Sequence, residues 1–128
     1  MSYNPNPYVL LGSALAVDCN ATGDVIIPIN GAKKYFPLLC FATNKSGTWS
    51  SADIQLWTGA TQSGTEATGV FTLNTLSATT DMSTPVLGGG PQLFNTSIQT
   101  AQELYLYRAV ANGSPFTVDI FLYGVILE

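Results

Sequence analysis

The chain has 128 residues and a net charge of −4, with only 9% charged residues against 46% hydrophobic ones. That length holds one domain with one core. The four fixed cations, Lys33, Lys34, Lys45 and Arg108, are too few and too scattered to neutralise a nucleic-acid backbone or an anionic membrane surface. The chain has no histidine, which excludes a Ser-His-Asp or Cys-His centre. With Cys19 and Cys40 as the only thiols, it also excludes an ordinary zinc site.

In chain order, residues 1–7 (MSYNPNP) carry two prolines and no cation, and read as an extended arm. The apolar run Tyr8–Val17 lacks the basic segment of a secretory signal and is too short to span a bilayer. It is predicted to be a strand, in a protein that stays in the cell that makes it or in something assembled there. The next predicted strands are 24–29, 34–43 and 52–58. Their period is two: Phe36, Leu38, Cys40 and Ala42 alternate with Tyr35, Leu39 and Phe41, and Ile54 and Leu56 alternate with Asp53, Gln55 and Trp57. A turn is expected at Thr58-Gly59-Ala60 and a strand over 67–73. A long loop is expected over 77–101 around Gly88-Gly89-Gly90, and strands over 102–110 and 116–127.

Asn112-Gly113-Ser114-Pro115 between the last two runs is a strong turn signal and predicts an antiparallel hairpin. In that register Leu104, Leu106 and Val110 share a core face with Phe116, Val118, Ile120 and Leu122. Tyr105, Tyr107, Phe121 and Tyr123 then share the opposite face, where polar residues are usual. Such a face is covered by the 77–101 loop, stiffens the sheet by cross-strand pairing, or meets another polypeptide. With Tyr3 and Tyr8, these four aromatics form the candidate protein interface. Seven or more short strands without a helical pattern predict an all-β fold, a jelly-roll-like β-sandwich of about seven to nine antiparallel strands over residues 8–128.

Residues for chemistry are sparse. The eight carboxylates are scattered singly, no spacing suggests calcium, and Gly88-Gly89-Gly90-Pro91 lacks the Lys-Ser/Thr of a phosphate loop. No catalytic, cofactor or metal residue is assigned, and the chain is expected not to be an enzyme. Cys19 and Cys40 read as reduced, partly buried thiols, with a disulfide between neighbouring strands as the alternative. Trp49 and Trp57 are candidate stacking platforms for a sugar, set against the commoner fate of a tryptophan in a core or interface.

The stretch from Gly23 to Gly69 carries Ile27-Pro28, Ala32 to Tyr35, Thr43-Asn44, Trp57-Thr58 and Ser63-Gly64-Thr65. The end carries a Leu-Tyr-Leu strand and Asp119 to Gly124. Over about residues 23–127 this order of steps resembles the jelly-roll head decoration, or cement, proteins of tailed phages. The resemblance implies a virion location after assembly in the host cytoplasm. It also implies the major capsid protein as partner, a homo-oligomer (dimer or trimer), and a role in bridging capsid subunits. The alternative is a glycan-binding β-sandwich module of a phage tail or fibre.

Overall fold

The computed structural model describes residues 9–78, 80–82 and 98–128. Seven strands are present among them: β1 (Val9–Asp18), β2 (Gly23–Pro28), β3 (Tyr35–Gly47), β4 (Asp53–Gly59), β5 (Ser63–Val70), β6 (Glu103–Val110) and β7 (Phe116–Ile126), with one 3-10 turn at Leu73–Thr75. They form two antiparallel sheets, β1-β7-β3 and β2-β6-β4-β5. The chain crosses from one sheet to the other between β1 and β2, β2 and β3, β3 and β4, and β6 and β7, which is the winding of a jelly-roll-like β-sandwich.

The alternation read from the sequence places the core between the sheets. Ile27, Ile54, Leu56, Leu104 and Leu106 from one sheet meet Leu11, Val17, Cys40, Phe116, Val118, Ile120 and Leu122 from the other, each at most 3% exposed. At about 1.5–3 kcal/mol per fully buried large aliphatic or aromatic side chain, this layer is the main source of stability. The central strand β7 carries Ile120 and Leu122, and its neighbours offer small residues opposite them: Ala14 and Ala42 beside Ile120, Gly12 and Cys40 beside Leu122. Large against small lets the layers interdigitate at native density. Gly124 fits this scheme tightly, since a Cβ there would lie 2.2 Å from the Phe36 carbonyl oxygen.

The predicted hairpin of β6 and β7 does not form. Each is a central strand with both edges already used, β6 by β2 and β4, β7 by β1 and β3. Residues 111–115 instead carry the chain between the sheets, and Asn112 is their anchor, only 1% exposed. Its Oδ1 accepts hydrogen bonds from the backbone N–H of Ser50 (2.7 Å), Ser51 (3.2 Å) and Ala52 (3.3 Å). Its Nδ2 donates to the Thr48 carbonyl (2.9 Å) and to the carbonyl and hydroxyl oxygens of Ser114 (both 3.1 Å). One amide thus ties the β3–β4 and β6–β7 crossovers together. The leucines of β6 do face the core residues of β7, but across the sandwich rather than side by side. Val110 leaves the core altogether, at 44% exposure.

Other expectations shift for local reasons. A bulge between Pro37 and Leu39 inverts the alternation at the start of β3, so Tyr35 and Pro37 share the buried side with Cys40 and Ala42, the side on which the alternation had put Phe36 and Leu38. The Tyr35 hydroxyl donates to the Ala101 carbonyl at 2.6 Å, which satisfies its polar end inside the core. Strand β5 begins earlier than expected, at Ser63. The turn before it uses Thr61 and Gln62 with φ of 56° and 58°, where a glycine-centred turn was predicted. Cys19 and Cys40 are both buried and free. Burial pushes the Cys19 thiol up to about 11 and raises Cys40 further. At both ends of the predicted 77–101 loop the chain lies against β3: the Thr43 hydroxyl donates to the Asp81 carbonyl, and Gln99 bridges Tyr35. Its middle, 83–97, lies outside the described residues, as does the arm with Tyr3 and Tyr8.

Candidate interaction faces

Because β6 and β7 belong to different sheets, the four aromatics expected on one surface are divided. Tyr105 and Tyr107 lie on the outside of the four-stranded sheet, and Phe121 and Tyr123 on the outside of the three-stranded sheet. The two outer faces differ in chemistry.

On the three-stranded sheet the registers build apolar rows across the strands. Leu10, Tyr123 and Leu39 are opposite one another, Phe121 lies between Ser13 and Phe41, and Val125 pairs with Phe36. Phe41 is stacked on Tyr123 with ring centres 6.0 Å apart and tilted against Phe121 at 5.6 Å. Such pairs add about 0.5–1.5 kcal/mol beyond area burial, so they stiffen the sheet as well as cover it. Cover is incomplete, however. Leu10, Leu38 and Leu39 remain 36–38% exposed, and Leu38, Leu39, Phe41 and Tyr123 line a shallow hollow of about 520 Å³. The bulge that displaces Leu38 from the core is what turns it towards this hollow.

The outside of the four-stranded sheet is aromatic and acidic. One row runs Asp24, Tyr107, Gln55, Val70 and the next Ile26, Tyr105, Trp57, Glu66, with Glu103 beyond. The Tyr105 hydroxyl donates to Glu103 Oε2 at 3.1 Å, and this bond raises the phenol's pKa. Asp24 Oδ2 accepts from the Thr61 N–H, which draws the β4–β5 turn over towards β2. Asp24 Oδ1 and the Trp57 indole N–H are buried with no hydrogen-bond partner among the described residues. Of the two tryptophans, Trp57 sits on this outer face. Trp49 packs against the core with its indole N–H donated to the Ala52 carbonyl at 2.9 Å, so they form no joint platform.

Asp119 has a local structural role. It accepts the Ala16 N–H at 2.7 Å and the Asn44 side-chain amide at 2.8 Å, and these two residues have φ of 50° and 54°. One carboxylate on β7 therefore pins a bulge in each flanking strand, β1 and β3. Among the described residues, no three His, Cys, Asp or Glu side chains converge as a metal ligand set would. No helix among them is long and apolar enough to cross a membrane.

The sequence pattern placed Phe41 and Leu39 opposite the Cys40 side of β3, and this was the legible sign of an apolar outer face. Leu10, and the contribution of β1 as a whole, carried no such sign. Asn112 was visible as a turn residue but not as the amide joining two crossovers.

Fold and faces together define a jelly-roll-like β-sandwich with one apolar and one acidic, aromatic outer sheet face. Compared with protein-family models, with curated proteins and with solved structures, the chain matches none.

Proposed function

We propose that this is a virion structural protein, a decoration protein that oligomerises and bridges major capsid protein subunits on a phage head. The observation that carries the reading is the apolar outer face around Leu10, Leu38, Leu39, Phe41 and Tyr123. The sandwich closes its own core without these residues, and apolar groups left on a surface favour burial against another polypeptide. Tyrosine and phenylalanine suit such a role because they bury large area at low entropic cost. The low charge content and the resemblance of residues 23–127 to cement proteins support the same reading. Mechanically, such a protein adds buried area across subunit seams and resists the pressure of packaged DNA.

Heating phage particles with and without the protein, with DNA release followed by dye fluorescence, tests this. Particles lacking it should release DNA at lower temperature. A Leu39→Asp protein, shown to be folded by its melting curve, should fail to restore the difference. Identical release from both kinds of particle would overturn the stabilising role.

The placement of Trp57 on an outer face beside Tyr105 and Glu66 favours a second reading, a glycan-binding module. Binding on a glycan array that is abolished by Trp57→Ala would select it over the first.

A further inference from the structure

The chain contains two Asn–Gly pairs, Asn30-Gly31 between β2 and β3 and Asn112-Gly113 between β6 and β7. An asparagine followed by glycine can modify itself. The backbone nitrogen of the glycine attacks the asparagine Cγ, a new N–Cγ bond closes a succinimide, and the Cγ–Nδ2 bond breaks as ammonia leaves. Water then opens the ring at either carbonyl, giving an aspartate or its β-linked isomer. Glycine permits this because no side chain shields its nitrogen. The step needs water and an amide free to swing its Cγ over the next nitrogen.

The glycines are alike. Both have positive φ, 69° at Gly31 and 83° at Gly113, and a Cβ on either would meet nothing within 4 Å. The asparagines differ. Asn30 is exposed, and among the described residues no hydrogen bond holds its side chain, although its backbone N–H donates to the Leu11 carbonyl. Asn112 is 1% exposed, and its amide makes the six hydrogen bonds described above, which fix the Cγ in place. The attacking nitrogens do not separate the sites, since the Gly113 N–H donates to Asn20 Oδ1 at 2.7 Å and the Gly31 N–H to the Ile29 carbonyl at 2.9 Å; the difference lies in the asparagine side chains.

We propose that Asn30-Gly31 is a self-modification site of the folded protein, whereas Asn112-Gly113 is a latent one that only unfolding opens. The two products have different consequences. At position 30 a carboxylate is added on an exposed loop, and the fold persists with one more negative charge. At position 112 the new carboxylate has no N–H to donate to the Thr48 and Ser114 oxygens. The β-linked product also displaces the backbone at the crossover. A chain modified there keeps an oxygen acceptor for the Ser50, Ser51 and Ala52 N–H groups in its aspartate form but loses the donor, so it refolds to a less stable structure.

The test is peptide mapping by mass spectrometry after incubation of the full chain in warm neutral buffer, with and without concentrated urea. Each conversion reads as a gain of about 1 Da. In buffer, the Asn30 peptide should convert at least about tenfold faster than the Asn112 peptide. In urea the two rates should agree within about threefold, because the protection is that of a structure that must open first. After urea is removed, chains modified at position 112 should unfold again at a lower urea midpoint than unmodified chains, while chains modified only at position 30 keep the original midpoint. An Asn30→Gln chain should show almost no conversion in buffer. Equal rates at the two sites in buffer, an inert Asn30, or an unchanged urea midpoint for chains modified at position 112 would each overturn the proposal.

Discussion

Replacing Asn112 with alanine removes an amide that is 1% exposed and holds both crossovers between the sheets. Three backbone N–H groups, of Ser50, Ser51 and Ala52, lose their acceptor, and the Thr48 carbonyl loses a donor. The Ala52 N–H lies in a buried bond, and leaving such a group unpaired costs about 1–3 kcal/mol. The other three bonds are half-buried, so water partly replaces the amide, and about 0.5–1.5 kcal/mol each is the net loss. Together these give about 4 kcal/mol, a large share of the 5–15 kcal/mol that holds a typical domain folded. For a domain of this size that corresponds to a fall in melting temperature of about 15 °C. Urea unfolding followed by the fluorescence of Trp49 and Trp57 reads the loss as a shift in midpoint at unchanged slope. Ser51→Ala provides the comparison: it removes only the exposed and half-buried bonds of one hydroxyl, and should cost under about 1 kcal/mol. If Asn112→Ala lost less than about 1 kcal/mol, water would be satisfying the 48–52 segment unaided, and the amide would not be what joins the crossovers.

Asp119→Ala should lower stability by about 0.5–1.5 kcal/mol by releasing the Ala16 N–H and the Asn44 amide, both at exposed bulges with positive φ where water partly replaces the carboxylate; hydrogen exchange should quicken at Ala16. Gly124→Ala should be more damaging than its single methyl suggests. The Cβ would sit 2.2 Å from the Phe36 carbonyl oxygen and 2.9 Å from Pro37 Cα, so β3 must move; a melting temperature within a few degrees of wild type would contradict the tight β3–β7 contact. Alkaline conditions should destabilise the fold. The Cys19 thiol rises from 9.0 to about 11 and the Tyr35 phenol from 10.0 to about 12, each chiefly through burial. The neutral forms are favoured in the folded state, so their contribution is complete below pH 9.0 and is lost progressively as the pH rises to about 12. Urea midpoints across that range should fall, and Cys19→Ala should make the early decline shallower without abolishing it, because the more deeply buried Cys40 thiol, also raised from 9.0, acts over the same range.

The contrast between β6 and β7 shows how much could be read in advance. Alternation along Glu103–Val110 and Phe116–Ile126 identified both strands and picked Leu104, Leu106, Phe116, Val118, Ile120 and Leu122 for the core, because side-chain direction in a strand is a local property of the backbone. The turn signal at Asn112-Gly113 was also genuine, since Gly113 does adopt positive φ. Yet a turn of that chemistry serves a hairpin or a crossover equally well. Which one forms depends on whether other strands already occupy both edges, and β2, β4, β1 and β3 come from distant parts of the chain.

The same division holds for the surfaces. The sequence by itself determined an all-β chain, its strand positions within a few residues, the buried residues of β6 and β7 apart from Val110, and the lack of a histidine on which imidazole chemistry could rest. Only the tertiary structure decided which aromatics share a face. It moved Tyr105 and Tyr107 to one side of the sandwich and Phe121 and Tyr123 to the other, and brought Leu10, Leu39 and Phe41 to the second pair. Parity says whether a side chain points in or out of its sheet. Strand pairing, set by the competition of whole strands for hydrogen-bonding edges and a common core, says which sheet that is.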